Sequence, residues 1–311
     1  MAFDFAAVGS PFRMQPGLRR LAPGAPQLTP LRPGAGALRE KLDVVAAHAA
    51  QALLAVEDFD AEPALEALCR HAAAEHPAAF RWDGSSATAL HLGWAVEHDR
   101  TVPLPCALPE VGAALEALPA GWRRAGLLAL AFAEDFAVID ADSGRIPWLA
   151  VCFPSHWAPE HKVGRDFREV HAPVADNALL LSASAHLMRL VTAPDRWERF
   201  VWTITPHARL DGHPDRASDE AWPMSGATAD IVAAAHWRTE RQTFIPLPER
   251  RQAVFTIHVE AQPLTVAIVE PGHAAQVRDA LASMSPAVLA YRGLAPVRDA
   301  LLAWLDARAA T

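Results

Sequence analysis

Cysteine is scarce in this 311-residue chain. Cys69, Cys106 and Cys152 are scattered, odd in number and without a CxxC spacing. A disulfide framework is thereby excluded, and a reducing compartment is expected, with the thiols acting as small buried hydrophobes. Basic charge is not in excess: 28 Lys and Arg stand against 36 Asp and Glu, a net charge of −8, so no basic face suits nucleic acid. Long apolar runs are missing too. The longest, Ala125 to Ala133, is far too short to cross a bilayer. No basic segment followed by an apolar stretch opens the sequence, so a cytoplasmic protein without membrane partner is expected. GxGxxG, Walker, HExxH and GxSxG patterns are all absent, which removes the readings those motifs carry. Tyrosine occurs once and tryptophan 10 times. So many indoles suit either a large apolar cofactor or ordinary core filling.

What is present is a hydrophobic half, enough for one large core or two modest ones. Residues 1–35 carry Pro11, Pro16, Pro23, Pro26, Pro30 and Pro33, so they read as an extended arm. Its Phe3, Phe5, Phe12 and Leu21 suit packing along a surface. Residues 36–134 read as a helical region. Leu42, Val45, Ala49, Leu53 and Val56 recur at helical spacing, a second helix starts near Pro63, and Glu110–Leu118 and Trp122–Ala133 follow. Residues 135–311 change character. Phe136–Asp140 and Ile146–Phe153 flank Ala141–Asp142–Ser143–Gly144 as a hairpin. A helix over Asn177–Val191 and a strand over Arg199–Thr205 come next, then a polar loop through 206–230. Strands over Trp237–Ile245 and Gln252–Glu260 and helices over His273–Met284 and Leu294–Ala307 close the chain. Helices, about five antiparallel strands and more helices make an α+β fold, not a doubly wound one.

Three segments carry polar groups that a plain fold does not need. His171 stands between Val170 and the rigid Ala172–Pro173. Such a segment suits an axial heme ligand, a neutral imidazole held at one angle. A satisfied core histidine has the same pattern. In Arg238–Thr239–Glu240–Arg241–Gln242–Thr243, strand alternation puts Glu240 and Gln242 on one face and Arg241 and Thr243 on the other. One face lines a pocket, or the strand is a solvated edge. Arg199 beside Phe200 and Trp202 suits a carboxylate clamp, or is a surface arginine next to a core tryptophan. Asp211, His213 and Asp215 could hold a metal, as in a hydrolase, although a solvated loop is the plainer reading. His156 and His161 lack a matching carboxylate spacing, and Glu134–Asp135 is an acidic pair before a strand.

These segments resemble those of a known family. Cys152–Phe153–Pro154–Ser155 with Trp157, Lys162, Gly164, His171 and Pro173–Val174 are similar to the central motif of the heme-dependent oxidative N-demethylase alpha subunits. Glu240–Arg241–Gln242–Thr243 with Leu247–Pro248 and Val254–Phe255–Thr256–Ile257 resemble its second motif. Arg199 with Trp202, and Phe12–Arg13–Met14 with Gly17–Leu18, resemble two more. Val201 stands where the family usually has asparagine, and Ala175 where it has a second proline. The resemblance implies a PAS-like antiparallel sheet holding heme b. It implies oxidation of a small secondary alkylamine with O2, releasing formaldehyde, with electrons from flavin and iron–sulfur partner subunits. The chain lacks the motifs for those two centres itself. By motif, His171 is the axial ligand, Glu240 binds the substrate cation, Arg199 or Arg241 meets the heme propionates, and Trp157 and Trp202 flank the cofactor. A heme-binding sensor or carrier without chemistry is the alternative.

Overall fold

Alternation of Phe255, Ile257 and Val259 with Thr256 and His258 builds the strand at the centre of the molecule. A computed structural model describes residues 3–216, 221–223 and 226–310. Its strands are β1 (Arg19–Arg20), β2 (Leu53–Ala55), β3 (Phe80–Trp82), β4 (Ser86–Ala89), β5 (Trp94–Glu97), β6 (Arg100–Pro103), β7 (Glu134–Asp140), β8 (Arg145–Ala150), β9 (Trp197–Thr205), β10 (His236–Leu247) and β11 (Gln252–Pro263). Seven of them form one antiparallel sheet in the order β1-β9-β10-β11-β7-β8-β2. The long hairpin of β10 and β11 runs from His236 opposite Pro263 to Leu247 opposite Gln252. It turns through Arg251, which takes a left-handed φ of 51°. β10 is thus a central strand, not an edge.

Helices cover this sheet on both faces. Those before the sheet are α1 (Gly36–Ala52), α2 (Glu62–Glu75), α3 (Pro109–Ala117) and α4 (Arg123–Ala131). Their Leu38, Leu68 and Leu127 pack with Phe136, Val138 and Val254 in the largest core. The other face carries Ile139, Phe244 and Ala253, which meet Met188 and Val191. Those two belong to the second of a helix pair, α5 (Phe167–His171) and α6 (Ala178–Val191). Last come α7 (Thr228–Ala234), α8 (Leu264–Ala267), α9 (Pro271–Ala282), α10 (Pro286–Tyr291) and α11 (Arg298–Ala309). They bury Trp202, Ile204 and Trp237 in a core of their own.

The α+β class and the antiparallel pairing agree with the reading of the sequence. Besides β2, which takes Leu53 out of the expected first helix and into the sheet, two elements differ from it. Within residues 36–134, β3 to β6 form a separate four-stranded meander where only helices were expected. Its strands are three or four residues long and too short to show a period. Gly93 makes the meander possible: its φ is 74°, and a Cβ there would lie 2.5 Å from the Ala107 backbone. The second difference is the loop after β9. Its His207, Asp211, Gly212 and His213 are buried rather than solvated, α7 begins inside its expected span, and residues 217–220 and 224–225 lie outside the described residues.

Candidate functional site

The register of β9 against β10 builds a row of polar pairs. Arg199 lies opposite Gln242, Val201 opposite Glu240 and Thr203 opposite Arg238. Directly opposed residues share a face, so these six side chains stand together, on the face that α5 and α6 cover. Phe200, Trp202, Thr239 and Arg241 stand on the reverse. The expected separation of Glu240 from Arg241 is the one found.

The cations of the row differ in how they are satisfied. Arg238 is 1% exposed and fully engaged. It donates to Ser155 Oγ at 2.9 Å and to the carbonyls of Arg209 (2.9 Å), Leu210 (2.7 Å) and Pro154 (3.4 Å). Its work is to tie the loop after β9 to the segment after β8. Arg199 makes no hydrogen bond among the described residues, and its Nε is buried without a partner. Burial pushes its pKa down, and Glu240 opposes that only through space. Thr203 Oγ1 is likewise buried and unpartnered. Glu240 accepts one hydrogen bond, from Gln242 Nε2 at 2.6 Å.

His171 ends α5. Asp166 caps that helix: its carboxylate accepts from the Glu169 N–H at 2.8 Å, and the Glu169 carboxylate accepts from the Asp166 N–H at 2.9 Å. The imidazole stacks on Phe167, with ring centres 4.0 Å apart. Its Nδ1 donates to the Phe167 carbonyl at 2.8 Å. A carbonyl only accepts, so Nδ1 carries the proton and Nε2 keeps its lone pair. Burial pushes the ring's pKa down to about 4, and the charges of Arg199 and Lys162 act in the same direction. The ring is therefore neutral at pH 7 with a donor nitrogen uncommitted. Sequence reasoning credited the rigid Ala172–Pro173 with holding this histidine; a capped helical turn holds it.

The remaining candidates fall elsewhere. Trp157 packs against Ala137, Leu149 and Val151 on the same sheet face. Trp202 is 3% exposed on the reverse face and stacks on Trp237 at 4.8 Å. Arg241, also on the reverse face, pairs with Glu198 at 2.9 Å and donates to the Pro26 carbonyl at 2.7 Å.

The metal candidate in the loop after β9 has its own account. His213 is fully buried, and its Nδ1 accepts from the Asp215 N–H at 3.2 Å. Nε2 then carries the proton and points at Glu160, 3.1 Å away. Glu160, His213 and Asp215 are close enough for a shared ion. The ring nitrogen that faces Glu160 offers it a proton rather than a lone pair. Asp211 is held by Arg216 at 2.6 Å. The cluster is a closed network.

A cleft of about 250 Å³ opens between the N-terminal arm and the outer edge of β9. β1 pairs only with Trp197 and Glu198, so the rest of that edge is uncovered. Phe12 and Met14 of the arm face Arg199 and Val201 across the cleft, and Leu180 and Arg292 close it. Sequence reasoning missed Arg292 altogether. The quoted Phe12–Arg13–Met14 segment was the one sign that the arm belongs to the site.

The profile of the haem-dependent oxidative N-demethylase, alpha subunit-like family matches residues 36–302. The chain belongs to that family. No curated protein matches it. The family's description names a heme-dependent oxidation and one subunit of a larger enzyme. The side chains present fit such a cofactor. A neutral imidazole with a free Nε2, a guanidinium whose buried Nε has no partner, and a cleft beside that guanidinium lined by both apolar and cationic side chains are what an iron porphyrin bearing two carboxylates needs. Among the described residues no helix is long and apolar enough to cross a membrane.

Proposed function

We propose that this chain binds heme b through His171 and is the catalytic subunit of an oxidative N-demethylase. The observation that carries this reading is the His171 ring, neutral and with Nε2 free, beside the unpartnered Arg199. The two come from α5 and β9 and lie on one side of the sheet, which we read as a PAS-like core in residues 135–311. Residues 36–134 buttress the reverse face, and residues 1–35 form an arm. Bound heme supplies O2 binding and the oxidation itself. One N-methyl group, one O2, two electrons and two protons give the demethylated amine, formaldehyde and water. The electrons come from flavin and iron–sulfur partner subunits of a cytoplasmic assembly.

The chain's own residues supply position and charge. Arg199 meets a propionate. Arg241, held by Glu198 on the reverse face, braces β9 rather than touching the cofactor. Trp202 fixes that strand from the same side, and Trp157 walls the cofactor face. Glu240 takes the alkylammonium group of a small secondary amine, oriented by Gln242. A second reading, a heme-binding sensor without chemistry, draws on Val201. It faces Glu240 with a side chain that cannot hydrogen-bond to a substrate.

Heme titration of the apoprotein tests the first step. A stoichiometric Soret band is expected. His171→Ala should lose heme or change the ligand-field spectrum, while His156→Ala should not. Unchanged spectra for the His171 variant would remove the ligand assignment. Formaldehyde release with amine, NADPH and the reductase subunits separates enzyme from sensor, and NADPH alone should give none.

A further inference from the structure

Arg292 follows α10 and reaches back to the sheet. Its guanidinium donates to the Trp202 carbonyl and lies over the rings of Phe12 (4.6 Å) and Trp202 (5.5 Å). Met14 Sδ is 3.8 Å from one nitrogen, a weak acceptor. The Nε is buried without a partner, as in Arg199. Burial pushes the Arg292 pKa down to about 10, and Tyr291 and Glu240 oppose that only through space. Among the described residues neither arginine forms an ion pair, while Arg216, Arg241 and Arg19 all do. One carboxylate, Glu240, is thus shared through space by Arg199, Arg238 and Arg292. Arg238 has Glu40 and Asp211 nearby as well. Arg199 and Arg292 do not, and both line the same cleft.

Two partly buried guanidinium groups whose Nε atoms lack partners and which have no counter-ion are costly, and the cost is relieved when anions occupy the cleft that both line. We infer that Arg199 and Arg292 form a two-guanidinium clamp for carboxylates, that its ligand is the dicarboxylate edge of the porphyrin, and that Phe12 and Met14 of the arm close over that edge. The inference rests on the heme reading above and adds a residue from the C-terminal helices to the site. Arg199 stands on the sheet and Arg292 on the helical layer, so one ligand bridges the two. The Phe12 ring and the Trp202 carbonyl hold the Arg292 guanidinium in place before the ligand arrives.

The clamp is tested by binding iron(III) protoporphyrin IX and its dimethyl ester to the full chain. The ester keeps iron, ring and size but has no carboxylates. In the unaltered protein the free acid should bind at least about tenfold more tightly than the ester, as two charge-assisted pairs require. Arg292→Gln should remove most of that preference while leaving ester affinity unchanged, which also shows that the pocket is intact. Arg292→Lys should restore part of it, and Arg199→Gln should behave like Arg292→Gln. Equal binding of acid and ester to the unaltered protein would overturn the clamp and leave the heme reading standing. So would an undiminished preference in both glutamine variants. Failure of both porphyrins to bind would overturn both readings.

Discussion

Two cation sites on the same sheet are built to opposite standards. Lys41 is 0% exposed, as is its partner Asp135 on β7, 3.1 Å away. Its ammonium also donates to the carbonyls of Phe132 (3.0 Å) and Glu134 (2.7 Å). It lies over the Phe153 ring, and Asp135 Oδ2 in turn accepts the Phe153 N–H at 2.6 Å. Arg199, on the same face of the sheet as Asp135, and Arg292 are partly exposed, and each leaves a buried Nε without a partner. Fold-making charges meet a counter-ion inside the protein, whereas a site that waits for a ligand leaves its cations without one. That difference marks the candidate site.

The comparison can be broken most severely at Lys41. Lys41→Met leaves Asp135 as a buried carboxylate without its cation, and the fold should lose about 3–5 kcal/mol in urea unfolding. Adding Asp135→Asn to the same chain should recover much of the loss. A single variant within about 1 kcal/mol of the parent would show that Lys41 and Asp135 are not a committed pair.

Glu240 tests the open side. Glu240→Gln keeps shape and removes charge, so heme content should stay nearly intact while amine binding weakens by about 2–4 kcal/mol. A thermal melt and an amine titration on one preparation decide it. A lower melting temperature with unchanged amine affinity would make Glu240 a structural partner of Arg199, Arg238 or Arg292.

Arg199→Met should then do the reverse of Lys41→Met. Replacing an uncompensated, partly buried guanidinium by an apolar side chain should raise apoprotein stability by about 1–3 kcal/mol, while heme affinity falls. Loss of stability in the apoprotein would mean that Arg199 is already balanced, and the contrast with Lys41 would disappear.

The sequence shows the closed and the open side unequally. Alternation along 238–243 separates Glu240 from Arg241 without any structure, because a strand has a period of two. It also brings out His171, since a histidine before Ala–Pro is a local pattern. What sequence hides is partnership. Nothing near Arg241 names Glu198 as its ion-pair partner, and nothing near Lys41 names Asp135, because sheet register and helix packing join them. The same holds for the loop after β9. Its Asp, Gly and Pro content reads as solvated, yet Gly212 lies against Pro154, where a Cβ would come within 2.7 Å of the Pro154 carbonyl oxygen. Arg292 hides for a further reason. It follows a helix of only six residues and acts through a strand paired elsewhere.

The smallest test asks whether helix caps carry the two halves of the site separately. Asp166 caps the turn that ends in His171, and Ser285 caps α10, which leads to Arg292. Ser285 Oγ accepts from the Val288 N–H at 3.2 Å and donates to Asp176 at 2.7 Å. Losing either cap should cost about 1 kcal/mol of local helix stability, too little to unfold the protein. Asp166→Ala should let the imidazole wander, so affinity for iron protoporphyrin and for its dimethyl ester should fall together, by about three- to tenfold. Ser285→Ala loosens only the guanidinium, so the free acid should weaken while the ester holds. The two variants thus displace different coordinates of one ligand: the iron and the carboxylate edge. Equal effects of both caps on both porphyrins would mean that they act through overall stability, which the urea midpoints of the same samples would show. An unchanged porphyrin affinity in Asp166→Ala, with α5 demonstrably frayed by hydrogen exchange, would detach His171 from the iron, whatever the state of the clamp.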